Sequence, residues 1–175
     1  NPSKMIFDST NRLLILDPTN AAVYQTTGAN PTLLFSTPTQ SSNSIAVDTY
    51  DNIYIPDGQG KIYVYDKNGV PIGEFATLSS GYISCLAFTT GNELWEPGLY
   101  VLNDGTGNLS RFDARGYETL RGTGGPGSTA DMVFGPDGAL YIDASNNEVL
   151  RIVPEPATLL LLGMGGVMLR KRRAE

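Results

Sequence analysis

Apolar residues in the first 152 positions come in short runs, each closed by Asp, Asn or Gly, and the same order of runs returns four times. The repeated segments are Met5–Asp17, Ile45–Asp57, Leu86–Trp95 continued by Tyr100–Asp104, and Met132–Asp143. Their starts, at 5, 45, 86 and 132, lie 40, 41 and 46 residues apart. The third carries extra residues around Trp95-Glu96-Pro97-Gly98, and in the fourth the closing Asp comes one place early. Within each, an apolar triplet leads to a turn such as Tyr50-Asp51-Asn52 or Pro136-Asp137-Gly138. These turn residues tolerate the left-handed backbone that tight hairpins need. A second run follows, as in Ile53-Tyr54-Ile55 and Leu140-Tyr141-Ile142.

A polar turn, Asp57–Gly60 or Ser145–Asn147, then precedes a third strand: Lys61–Tyr65, Leu109–Phe112 or Glu148–Ile152. Asp66-Lys-Asn-Gly69 and Asp113-Ala-Arg-Gly116 lead to a fourth, near 70–76 and 117–121. Four short antiparallel strands in about 40 residues is the size of one propeller blade. The sequence therefore predicts an all-β repeat domain over residues 1–152, of four visible blades, the last lacking its fourth strand. Closure of a propeller removes exposed strand edges. Two arrangements answer this: a four-bladed ring whose missing strand comes from the N-terminal segment, or part of a larger ring. The chain opens at Asn1 with no apolar stretch behind a basic start, and the expectation is a fragment or a processed form.

Residues 153–175 have a different character. Val153-Pro154-Glu155-Pro156 opens the segment, residues 157–169 carry no charge, and Arg170, Lys171, Arg172 and Arg173 close it. The prolines stop any strand or helix from running through. As a helix, the apolar stretch would rise about 20 Å, short of the roughly 30 Å hydrocarbon core, so it predicts a brief membrane helix with local thinning. Basic clusters stay cytoplasmic, which puts the body on the far side.

Turn motif, apolar run and basic cluster, in that order at the C-terminus, resemble the PEP-CTERM sorting signal of Gram-negative bacteria. The resemblance implies recognition by an exosortase, a membrane cysteine protease, with Glu155 a recognition residue. It further implies a tail transiently in the inner membrane, and a body that is periplasmic and then at the cell surface or in the extracellular matrix. The body, best seen in residues 45–69, is similar to NHL-type and gluconolactonase-like propeller repeats.

Composition narrows the chemistry. The chain has 41% hydrophobic and 17% charged residues, with 20 Gly and 11 Pro, which suits a packed core with many turns. Residues 1–153 hold 8 Lys+Arg and 16 Asp+Glu, a net −8 that offers no footprint for nucleic acid. There is no His, which removes Ser-His-Asp and Cys-His catalysis by this chain alone. Cys85, the one cysteine, cannot form an internal disulfide and sits in an apolar run as a core residue.

The remaining motifs are few. Gly122-Thr-Gly-Gly-Pro-Gly127 has the spacing of a dinucleotide loop, but Pro126 interrupts it and no helical period follows, so it reads as a connection between blades. Asp17, Asp57, Asp104 and Asp143 end equivalent strands. Converging carboxylates could hold a divalent cation such as calcium, and the gluconolactonase-like resemblance implies such a site. A repeated turn position is more simply explained by capping of backbone amides. Trp95 and the tyrosines Tyr54, Tyr63, Tyr65, Tyr100 and Tyr141 lie at strand positions and read mostly as core or blade-packing residues; Trp95 alone, on the inserted loop, is also a candidate for exposure and ligand contact. The resulting reading is a non-catalytic exported protein without a cofactor, whose propeller meets an unknown extracellular ligand or protein. The alternative is a metal-dependent lactonase-like hydrolase.

Overall fold

The computed structural model describes residues 2–126, 129–144 and 147–154. Blade 1 comprises β1 (Lys4–Phe7), β2 (Leu13–Asp17), β3 (Ala22–Thr26) and β4 (Thr32–Ser36). Blade 2 comprises β5 (Ala46–Val47), β6 (Ile53–Pro56), β7 (Lys61–Tyr65) and β8 (Pro71–Thr77). Blade 3 comprises β9 (Tyr82–Thr89), β10 (Gly98–Asp104), β11 (Leu109–Phe112) and β12 (Glu118–Gly122). Blade 4 has three strands among the described residues: β13 (Thr129–Phe134), β14 (Leu140–Ala144) and β15 (Glu148–Ile152). Every blade is an antiparallel meander in chain order. Strands and repeats thus coincide with the periodicity of the sequence, and the fold is an all-β propeller arrangement.

One turn recurs and explains much of that periodicity. Between the first two strands, the amides of Asn11, Asp51 and Gly138 reach back to the carbonyls of Asp8, Asp48 and Gly135. Those three residues have φ of 60°, 63° and 75°. The left-handed value is why Asn, Asp and Gly occupy this place. Asp8, Asp48, Asp66 and Asp113 each accept two following backbone amides, so the recurring wording of the repeat is turn chemistry.

The core lies between blades. Leu14, Leu16 and Val23 of blade 1 pack on Ile45, Ile53 and Ile55 of blade 2. Tyr54, Ile62 and Val64 pack on Leu86, Leu99 and Phe112 of blade 3. Tyr100, Leu102 and Leu109 pack on Met132, Leu140 and Ile142 of blade 4. Cys85 is buried in this last interface, as its surroundings in the sequence require. No such apolar cluster joins blade 4 to blade 1 among the described residues. Among the described residues the four blades thus form an arc with three apolar seams.

The N-terminal strand does not complete blade 4, as one arrangement expected. Lys4–Phe7 pairs with Leu13–Leu16 as the innermost strand of blade 1, where Ile6 packs into the blade 1–2 core. The Gly-rich segment after β12 is a connection, with the Gly125 amide 3.0 Å from the Gly107 carbonyl. Val153 and Pro154 are described; Glu155, Pro156, the expected helix over 157–169 and the basic cluster Arg170–Arg173 lie outside the described residues. No helix among the described residues is long and apolar enough to cross a membrane.

Candidate functional site

Asp17, Asp57, Asp104 and Asp143 all lie where the second strand of a blade gives out, at one end of the arc. They are not equivalent there. Asp17 is buried and accepts from Asn20, from Nδ2 at 2.8 Å and the amide at 3.2 Å. Asp57 is buried and accepts the amides of Gln59 at 2.7 Å and Lys61 at 3.0 Å. Asp104 and Asp143 are exposed. Among the described residues, no three His, Cys, Asp or Glu side chains converge into a group that could hold a metal ion.

Trp95, on the inserted loop, is only 5% exposed and packs as a core residue. Its ring meets Tyr100 edge-on at 5.2 Å and Phe134 at 5.5 Å, so the inserted residues staple blade 3 to blade 4. The indole brings large apolar area to that contact.

Two features are less visible in the sequence. The first is at the inner edge of the arc. Lys4, Ser44, Cys85 and Asp131 each immediately precede the apolar triplet of their blade. The Lys4 ammonium pairs with the Asp131 carboxylate and donates to the Leu86 carbonyl at 3.3 Å and Ser44 Oγ at 3.5 Å. Ser44 Oγ in turn accepts the Leu86 amide at 2.9 Å. One side chain from blade 1 thereby touches all three other blades.

The second is a groove of ≈ 530 Å³ between blades 2 and 3. Tyr50, Tyr54, Phe75, Phe88, Arg111 and Arg115 line it. Tyr50 stands on the β5–β6 turn and is 81% exposed. Tyr54 is held by Phe75, edge-on at 5.0 Å, and its hydroxyl donates to Asp48 at 3.1 Å. Burial, then the Asp48 carboxylate, push this phenol well above its ordinary pKa, so it remains a neutral donor. Arg111 is fixed by two bonds to the Pro97 carbonyl, at 2.9 and 2.7 Å, and by Glu96 at 3.0 Å. The groove thus offers aromatic faces beside two guanidinium groups. Asp48 and Asp113, both carboxylates, line the same groove.

Residues 153–173 match the PEP-CTERM protein-sorting motif. The chain carries a PEP-CTERM tail. That tail marks an exported protein handled by a membrane exosortase. No curated protein matches the chain. Among solved structures, the body is similar to a gluconolactonase from Xanthomonas campestris, at 17% identity and a TM-score of 0.69, covering 87% of this chain and 57% of that one. It is similar to virginiamycin B lyase from Staphylococcus aureus, at 14% identity and 0.63, covering 85% and 54%. It is also similar to the calcium-binding protein regucalcin from Agrobacterium tumefaciens, at 18% and 0.60, covering 81% and 52%. At such identities the likeness is one of fold. The chain spans a little more than half the length of these structures.

Proposed function

We propose that the body of this exported protein is a non-catalytic binding module of the cell surface or extracellular matrix, and that the groove between blades 2 and 3 is its contact face. What carries the reading is the pairing of a sorting tail with an aromatic-lined groove that holds Arg111 and Arg115 beside Asp48 and Asp113. Its ligand has a flat apolar face for Tyr50 and Phe75 and a negative group for Arg111 and Arg115. An acidic polysaccharide, whose sugar rings stack on aromatics and whose carboxylates meet guanidinium, has this chemistry. Exosortase cleavage near Pro154–Pro156 frees the body from the membrane.

Calorimetric titration with alginate, a polyuronate, tests the binding role. The expected result is saturable heat that weakens at least about tenfold in Tyr50→Ala and in Arg115→Ala, a loss of about 1.4 kcal/mol. No heat, or equal heat from both variants, removes the groove as the contact. Intact mass of the mature protein tests processing, since loss of residues 157–175 is expected.

The similar structures named as a gluconolactonase and a calcium-binding protein favour one second reading, a metal-dependent lactone hydrolase. In it Asp17, Asp57, Asp104 and Asp143 would supply oxygen ligands at one end of the arc. Calcium titration with a lactone-hydrolysis assay separates the two, and absence of both signals discards the hydrolase.

A further inference from the structure

The sorting motif begins where the third strand of blade 4 ends. β15 runs to Ile152, which pairs with Leu140, and Val153 opens the motif with no residue between them. The repeat shows what this place holds in other blades. Tyr65 pairs with Ile53 in blade 2 and Phe112 with Leu99 in blade 3, as Ile152 does with Leu140. Val153 therefore stands where Asp66 and Asp113 stand, at the head of the turn into the outermost strand. Those two aspartates close their turns by accepting the amides of Asn68 and Val70, and of Arg115 and Tyr117. Valine carries no acceptor and cannot close this one the same way.

What holds the end of β15 is on the strand itself. Leu150 and Ile152 pack on the core between blades 3 and 4. Arg151, directly opposite Tyr141, reaches the β13–β14 turn. Its Nε and Nη2 donate to Asp137 Oδ2 at 3.1 and 2.9 Å, and the Tyr141 hydroxyl donates to the same oxygen at 2.9 Å. This clamp lies two residues ahead of Val153. Among the described residues β15 pairs with β14 alone, so its last residues open more readily than those of an inner strand. An extended peptide is recognised largely through its main-chain hydrogen bonds, and a protease cleft takes up residues on both sides of the bond it cuts. In β15 the main-chain groups on one side are bonded to β14. Held in this way, the residues just ahead of the motif are withheld from such a cleft.

We propose that exosortase acts on a body in which the last residues of β15 have come away from β14, and that the Arg151–Asp137–Tyr141 clamp sets how often they do. The inference rests on cleavage near Pro154–Pro156. Blade 4 thereby ties release from the membrane to its own local opening, since proteolysis of a site that must first open follows the population of the open form. A surface ion pair shifts that population only a few-fold. Distance between strand and motif removes the need for opening altogether.

Whole chains are expressed with an exosortase, and loss of the tail is timed by pulse-labelling and intact mass. One variant carries Gly-Gly-Ser-Gly-Gly-Ser between Ile152 and Val153, which leaves every blade residue in place. A second carries Arg151→Met, and a third carries both changes. The insertion is expected to speed cleavage at least about tenfold, and Arg151→Met alone about threefold. Hydrogen exchange of the β15 amides should quicken in step with cleavage in the Arg151→Met chain. In the inserted chain Arg151→Met should add nothing, which separates the clamp from a general loss of stability. Equal cleavage rates in the parent and inserted chains overturn the proposal, as does an Arg151→Met effect of the same size in both. Parent and inserted chains that both keep their tails overturn the cleavage reading, and the proposal with it.

Discussion

At the scale of single residues, the structure explains the wording of the repeat and sets its sensitivities. Asp51 holds a left-handed turn and also accepts the amide and hydroxyl of Ser9, at 2.9 and 2.8 Å, across the blade 1–2 boundary. Asp51→Ala should lower unfolding free energy in urea by about 1–3 kcal/mol, because both donors lose their partner. Gly116 has φ of +78°, and a Cβ there would lie 2.5 Å from the Phe75 carbonyl oxygen of blade 2. Gly116→Ala is thus expected to cost more than about 1 kcal/mol on conformation alone. Trp95 is the single tryptophan, so its burial has a direct optical readout. Emission should be blue-shifted in the folded chain and move to longer wavelength on unfolding. Trp95→Ala should destabilise by about 3–5 kcal/mol through the cavity it leaves.

At the scale of elements, the turns carry the pH dependence. The backbone amides of Val70 and Tyr117 hold the carboxyls of Asp66 and Asp113 below their usual range. Arg151, with Tyr141 and the Ala139 amide, does the same for Asp137. At Asp8, burial acts upward but the bonds from Thr10 and Arg12 outweigh it. A lowered folded pKa means stability that is present above the unfolded value near 3.8 and lost as pH falls through the folded one. The urea midpoint should therefore stay level from neutrality to about pH 4 and fall below it. A midpoint that rose on acidification would contradict this assignment. Elements were legible where apolar triplets and turn residues alternate, as in β5–β7 and β13–β15. The strands β3 and β4 of blade 1 were harder to see. The turn between them, Thr27–Pro31, lacks the Asp-x-x-Gly wording of the later blades. Trp95 was legible as a packing residue, but not its partner Phe134, which lies 39 residues away, beyond any local pattern.

At the scale of the whole molecule, the junction at Lys4 and the groove were illegible for the same reason. Lys4 meets Leu86 and Asp131 across separations of 82 and 127 residues, and no period in the sequence announces such a meeting. Only the position, one place ahead of each triplet, was readable. Lys4→Met should leave the three interblade cores intact and loosen blade 4 relative to blade 1. Hydrogen exchange of β13 amides is expected to quicken several-fold while those of β6 hold steady; uniform acceleration would mean Lys4 supports the whole fold.

The three apolar seams also fix how the body comes apart. Blades 2 and 3 are each gripped on two sides, blades 1 and 4 on one, and blade 4 has the fewest strands among the described residues. Such a row of nearest neighbours melts from its ends inward, not in one step. Blade 4 would fray first and the central pair last, so the aromatic-and-arginine cleft would outlive the loss of either terminus, even after proteolytic trimming.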